Sequence, residues 1–360
     1  MRWRGREIER HGDDRRSMSR KDRFLRACKL KEVDRTPIWL MRQAGRYLPE
    51  YRRLREKHNL LTICKTPDLC AEATLLPVRK LGVDAAIIFA DIMLPLEPMG
   101  ISFRIEESLG PVIHNPISSL ADIDALHSIK PKSDLWFVLE GIRLVRKKLE
   151  GNVPLIGFSG APFTLASYII EGKPSRDFTR TKEMMYADPE TWHQLMKRLA
   201  HVVSSYLRAQ IEAGVQAVQL FDSWVGCLGP QDYKEYVFPY SRQVFRYLSA
   251  TNTPTIHFGT GTATLLELMK EAGGDVIGVD WRIPIDEAWK RLGDVGIQGN
   301  LDPAVLLASF EVITASAKDI LQRASGRLGH IFNLGHGVLP NTPVENVIRL
   351  VKLVHGYKYE

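Results

Sequence analysis

The chain has 360 residues, 44% hydrophobic and 25% charged, enough to bury one large core or two ordinary ones. No apolar run is long enough to cross a bilayer, and the four cysteines, Cys28, Cys64, Cys70 and Cys227, fit a reduced cytosolic protein better than a disulfide scaffold or a metal site. The formal net charge of +7 comes without a basic block interleaved with aromatics, which speaks against a nucleic-acid partner and suits a small polyanionic substrate.

Met1 to Ser17 carries six Arg against four Asp or Glu. It lacks the apolar region of a signal peptide and has too many acids for a transit peptide, so it reads as a disordered or mis-started extension, with Met18 as the natural start. From there, residues 18–360 read as one domain with no dividing linker. A helix over Lys21 to Lys29 leads into a first short strand, Pro37 to Met41. Further strands are expected at Asp84 to Asp91, Val153 to Gly160, Ala217 to Ser223, Pro254 to Phe258, Asp275 to Asp280, Gly296 to Asn300 and His330 to Leu334. Helical patterns lie between them at Pro67 to Leu81, Pro189 to Ala213, Thr264 to Ala272, Pro303 to Arg323 and Thr342 to Val354. The long stretch from Leu94 to Leu149 interrupts the alternation after strand two, with a hairpin expected from Gly100 to Ile105 and Pro111 to His114. Eight strands alternating with helices predict an α/β fold, a (β/α)8 TIM barrel with extra N-terminal helices, over the alternative of an open doubly wound sheet.

Catalytic groups of such a barrel sit at the C-terminal ends of its strands. Those ends here carry Arg42 and Arg46, then Asp91, Ser159, Asp222 with Ser223, His257, Asp280, Asn300 with Asp302, and His336. The first strand stops at Arg42-Gln-Ala-Gly-Arg46, two permanently charged forks around a small turn. Each guanidinium can grip a carboxylate through paired hydrogen bonds, and Ala44 and Gly45 let the backbone approach a ligand. Asp91 lies in an apolar run, where a carboxylate must find donors or neutralise. By themselves Tyr168 reads as core packing and Ser223 as a helix N-cap, while His336, between two glycines, could donate to a carboxylate or titrate near neutrality. His257-Phe-Gly-Thr-Gly-Thr-Ala-Thr264 imitates a dinucleotide fingerprint but has Thr264 in place of the third glycine and follows the wrong strand.

Pro37 to Tyr51 resembles, almost letter for letter, the N-terminal signature of the uroporphyrinogen decarboxylase family. The resemblance extends from Arg20 to Val354 through Phe89-Ala-Asp-Ile-Met93, Gly157 to Tyr168, Gln219 to Ser223 and Asn333 to Pro340, with Phe163 in place of a frequent Trp. It implies a cofactor-independent, cytosolic lyase that turns the four acetates of uroporphyrinogen III into methyls in haem biosynthesis, giving coproporphyrinogen III and CO2. It further implies that Arg42 and Arg46 hold carboxylates with Gln43, Ala44 and Gly45 also binding substrate, that Asp91 faces the pyrrole N–H groups and stabilises a protonated ring, and that Tyr168, Ser223 and His336 position substrate. Members are typically homodimers with facing clefts. The proton donor stays open among the arginines, bound water and His336. A cobamide-linked methyltransferase, the alternative in the same fold, needs a His and Cys zinc site that no cysteine near His257 supplies. A tetrapyrrole carrier without chemistry would have little use for Asp91.

Overall fold

The computed structural model describes residues 18–106 and 110–359, so the expectation for Met1 to Ser17 lies outside the described residues. Nine strands occur among these: β1 Ala86–Ile87, β2 Phe103–Glu106, β3 Gly110–Ile113, β4 Leu155–Gly160, β5 Ala217–Asp222, β6 Thr255–Gly259, β7 Val276–Gly278, β8 Gly296–Gln298 and β9 His330–Ile331. Seven of them form one curled parallel sheet in the order β1-β4-β5-β6-β7-β8-β9. β2 and β3 make the expected antiparallel hairpin beside it. The central strands β4 and β6 are buried along their whole length, as expected where helices cover one face and facing strands the other.

The helices form where the sequence punctuates them. Pro67–Leu81 starts on a proline at its first position, where the lost N–H is an orphan in any case, and stops at Gly82 in the left-handed region. Pro189–Ala213 is capped by the Asp188 side chain, which accepts the Thr191 N–H. Its Trp192, Leu195, Met196, Leu199, Val203, Tyr206 and Leu207 recur at helical spacing and are all buried. One buried hydrophobic cluster runs from Phe24 to Val354.

The first expected strand, Pro37 to Met41, departs from the prediction. It makes a single parallel bridge, Ile38 with Phe332, rather than a ladder. Backbone bonds nevertheless reach both ends of the sheet. Trp39 N–H donates to Phe332 C=O and Phe332 N–H to Pro37 C=O on the β9 side, while Asp84 N–H donates to Ile38 C=O on the β1 side. Side chains satisfy the remaining donors. Ile38 N–H donates to Asp84 Oδ2 at 2.9 Å, Leu40 N–H to Gln43 Oε1 at 3.1 Å and Met41 N–H to Asn333 Oδ1 at 3.1 Å. Asp84 in turn takes hydrogen bonds from buried Arg23 and from His355, each at 2.7 Å. Burial pushes the Asp84 pKa up, but His355, the Ile38 N–H and Arg23 outweigh it, and the net shift is downward. Inside the curl, Trp39 Nε1 donates to Gln298 and Gln298 donates to Gln219, a buried polar chain that spans from this segment to β8 and β5.

Candidate active site

The segment held in this way ends at Arg42, whose φ of 56° lies in the left-handed region that a non-glycine residue enters only at a cost. The arginine stem lies across Gly337. A Cβ built on Gly337 would meet Arg42 Cδ at 2.3 Å and Cγ at 2.5 Å, so only glycine leaves room for the side chain. On the other side of His336, Gly335 packs on the next loop, and a Cβ there would lie 2.7 Å from the Trp281 ring and 2.9 Å from Asp280 Cα. His336 is thereby wedged between Arg42 and the Asp280–Trp281 segment. Its ring centre is 6.4 Å from that of Phe258. Burial first, then the Arg42 charge, lowers its pKa to about 4, against the opposing pull of Asp280. Of the two readings of His336, this downward shift speaks against titration near neutrality and leaves donation to a carboxylate.

Asp91 follows β1. Its Oδ1 accepts the Met93 N–H at 2.9 Å. The apolar walls raise its pKa, while the Met93 N–H and the Arg42 charge oppose the rise. Tyr168 stands on the helix Pro162–Glu171, edge-on to Trp224 at 5.9 Å. Burial pushes its hydroxyl up to about 12, and the charges of Asp91 and Arg42 both reach it. The charge of Arg42 thus reaches Asp91, Tyr168 and His336, the last of them 294 positions away in the chain, a grouping that sequence spacing could not reveal.

The rest of the first loop divides its work. Arg46 is exposed, and its carbonyl accepts from Arg52. Ala44 and Gly45 are half-buried, and Gly45 sits so near the Arg42 carbonyl that a Cβ would approach it to 2.8 Å. The Gln43 side chain is turned into the protein, which leaves its backbone for the expected substrate contact. It is fully buried, with Oε1 on Leu40 N–H and Nε2 donating to Ala85 C=O. It fastens the loop to the sheet.

Residues 19–357 match a family model described as uroporphyrinogen decarboxylase (URO-D). The chain belongs to the uroporphyrinogen decarboxylase family. A uroporphyrinogen decarboxylase of Sorangium cellulosum is 56% identical over 93% of this chain and 96% of its own length. One of Carboxydothermus hydrogenoformans is 55% identical over the same shares. Among solved structures, a methyltransferase from Methanosarcina mazei has a TM-score of 0.78 at 21% identity, covering 93% of this chain and 98% of that one, a likeness of fold.

In this uroporphyrinogen decarboxylase family member, several polar strand-end residues do not face the mouth. Strand side chains alternate, and where Phe158, Phe221 and Phe258 meet edge-on, their neighbours point the other way. His257 accordingly lies fully buried toward the helix Leu266–Ala272, with Nδ1 at 3.2 Å from both the Met269 and Gly273 carbonyls, and burial lowers its pKa to about 4. Ser159 is buried and donates to the Gly160 carbonyl. Asn300 ties the Asp280 and Ile283 carbonyls together, and Asp302 caps the short helix Pro303–Leu307. Ser223 is half-buried at the end of β5, and its carbonyl accepts from the Thr260 hydroxyl.

Asp222 has a role the sequence reading missed. It is completely buried and accepts the Thr164 hydroxyl at 2.9 Å. Thr164 lies in the first turn of Pro162–Glu171, a helix whose own Ala161 offers no side-chain cap. Asp222 supplies that cap from another strand, one helical turn before Tyr168 and one residue before Ser223. Burial raises its pKa to about 7, and its Oδ2 has no hydrogen-bond partner. The residues share no local motif because they stand 58 positions apart. Among the described residues no group of three or more His, Cys, Asp or Glu is placed to hold a metal ion.

Proposed function

We propose that this chain is a uroporphyrinogen decarboxylase, converting the four acetate side chains of uroporphyrinogen III to methyls with release of four CO2. The observation that carries the reading is that relatives 55–56% identical over 93% of the chain bear that name, and the reach of the Arg42 charge to Asp91, Tyr168 and His336 supports it. The chemistry asks for a proton on a pyrrole carbon, a sink for one electron pair and an anion opposite the cationic ring. When the acetate carbon–carboxylate bond breaks, its electrons neutralise the protonated ring and leave an exocyclic methylene. A second proton on that methylene and loss of the first from the ring give the methyl, so each CO2 consumes one proton. No electron leaves the substrate, so the reaction as proposed needs no redox partner and no cofactor.

Each residue has a part in that sequence. Asp91, with one oxygen fixed by Met93, presents the other to the pyrrole N–H groups and stabilises the cation. Arg42 and Arg46 grip carboxylates, with the loop backbone from Gln43 to Gly45 beside them. Neutral His336, Tyr168 and Ser223 donate or accept hydrogen bonds that orient the ring. In this reading Pro37 to Met41 is the eighth stave, and the curled sheet is a closed (β/α)8 barrel within one domain of residues 18–360. The active form is a cytosolic homodimer with facing clefts, as the family resemblance implies. Anaerobic turnover of uroporphyrinogen III, with products resolved by carboxylate number, tests the reading. Four-carboxylate product from the wild type and little from Asp91→Asn support it, and substrate bound without turnover by the wild type refutes it.

A further inference from the structure

The loop after β7 brings a third arginine to the same mouth. The chain leaves Gly278 as Val279-Asp280-Trp281-Arg282. Buried Asp280 accepts the Gly261 N–H at 2.6 Å and the Arg282 N–H at 3.1 Å, and also binds the Arg282 guanidinium. The same guanidinium lies 4.4 Å from the centre of the Trp281 ring, and the arginine side chain is 52% exposed. Its fork is thus held at one nitrogen by a carboxylate and on one face by an indole, while about half of the side chain stays exposed. Asp280 already has two backbone donors, so the guanidinium is not required to satisfy it. Holding a long side chain this firmly at a half-exposed position costs rotamer entropy and gives a preorganised anion contact. His336 stands between this loop and Arg42, because Gly335 packs on Asp280 and Trp281 while Gly337 packs on Arg42. The charges of Arg42 and Arg282 both reach its ring.

We propose that Arg282 is a carboxylate clamp across His336 from Arg42, and that it takes a propionate of the substrate. The proposal rests on the decarboxylase reading. Uroporphyrinogen carries one acetate and one propionate on adjacent carbons of every ring, and only the acetates are consumed. The acetate being removed belongs beside Asp91 and Arg42. The neighbouring propionate is one carbon longer and leaves the ring in a different direction, toward the rim where Arg282 waits. A guanidinium already shared with Asp280 holds a carboxylate without trapping it, which suits a side chain that must be released as successive rings are presented.

Arg282→Gln and Arg282→Lys in the full-length chain test this. A propionate contact persists in every intermediate, so Arg282→Gln is expected to raise KM about tenfold for uroporphyrinogen III and for the five-carboxylate intermediate alike, the scale of one solvent-screened, charge-assisted pair. kcat is expected to stay within about threefold, with Arg282→Lys recovering part of the loss. Coproporphyrin III, which retains four propionates and no acetate, is the binding probe. Fluorescence titration is expected to show about tenfold weaker binding to Arg282→Gln. Unchanged KM for both substrates overturns the proposal, as does a KM effect on uroporphyrinogen alone with unchanged coproporphyrin binding, which assigns the arginine to an acetate. A wild type that binds coproporphyrin but does not turn over overturns the decarboxylase reading instead, and the titration still decides the role of Arg282. Unchanged thermal unfolding separates lost contact from lost structure.

Discussion

Replacing Gly337 by alanine perturbs the mouth by displacing the Arg42 side chain, while every residue proposed to meet substrate keeps its own chemistry. The new methyl would lie 2.3 Å from Arg42 Cδ, 2.5 Å from Cγ and 3.0 Å from Cβ, where ordinary contact begins near 3.4 Å. The Arg42 stem must therefore move by about 1 Å. It cannot do so by backbone adjustment, because Met41 C=O accepts the Val338 N–H and Met41 N–H is held by Asn333. The guanidinium swings instead. A misplacement of about 1 Å in a positioning group costs roughly 100-fold in rate, which is about 2.7 kcal/mol of transition-state stabilisation. Overpacking by one methyl costs about 1–3 kcal/mol of stability, so the melting temperature should fall by a few degrees and no more. Anaerobic turnover and thermal unfolding of Gly337→Ala measure both. If the variant keeps activity within about threefold of wild type, the argument that Gly337 seats Arg42 is wrong. A double variant with Arg42→Ala should be no worse than Arg42→Ala alone, since both changes act on one group.

Asp91→Asn should lower kcat by at least about 100-fold while leaving thermal stability equal or higher, because it removes a carboxylate that burial disfavours. For the same reason the acid limb of the wild-type pH–rate profile should lie above the ordinary carboxyl range, and a limb near pH 4 would contradict the assignment. Asp222 has a folded-state pKa raised to about 7, so its contribution to stability is fully present below the unfolded carboxyl pKa and is lost as pH rises through about 7. Asp222→Asn keeps an oxygen for Thr164, and unfolding measured between pH 4 and 7 should show it gaining on wild type by on the order of 1 kcal/mol per pH unit. Asp222→Ala should instead lose about 1 kcal/mol of cap energy and raise KM through Tyr168. Asp84→Ala removes the acceptor of the Ile38 N–H and of one Arg23 nitrogen, while Asp34 still pairs that arginine, and should cost about 1.5–3 kcal/mol in denaturant unfolding. Because the Asp84 pKa is lowered, that difference should be present above the unfolded carboxyl pKa and fade as pH falls through the folded value.

Local chemistry made much of this fold readable. Pro67–Leu81 and Pro189–Ala213 match the expected bounds because a proline opens each and a glycine closes it. Seven of the expected strands occur as apolar runs in the sheet. Pro37 to Met41 was legible as an extended segment but not as one fastened by Asp84, Gln43 and Asn333, because those bonds depend on which residues fold together. Arg42, Asp91, Tyr168 and His336 were legible through long signatures. Asp222 was not, since its partner Thr164 lies on another element. His257 and Ser159 were placed at the mouth by counting strand ends, whereas the two-residue alternation that turns them outward was already in the sequence. The proton affinity of His336 could not be read there, because it is set by burial and by an arginine near the other end of the chain.

The bonds that fasten Pro37 to Met41 also order events during synthesis. Met41 waits for Asn333, 292 residues later, and the Asp84 carboxylate that takes the Ile38 N–H waits for His355, 271 residues beyond it. A nascent chain can finish most of its sheet while the arginine loop, among the first parts to leave the ribosome, remains unseated. A chain broken off before Asn333 would lack the acceptor of the Met41 N–H, so its arginine loop would have no seat even where the earlier strands are present.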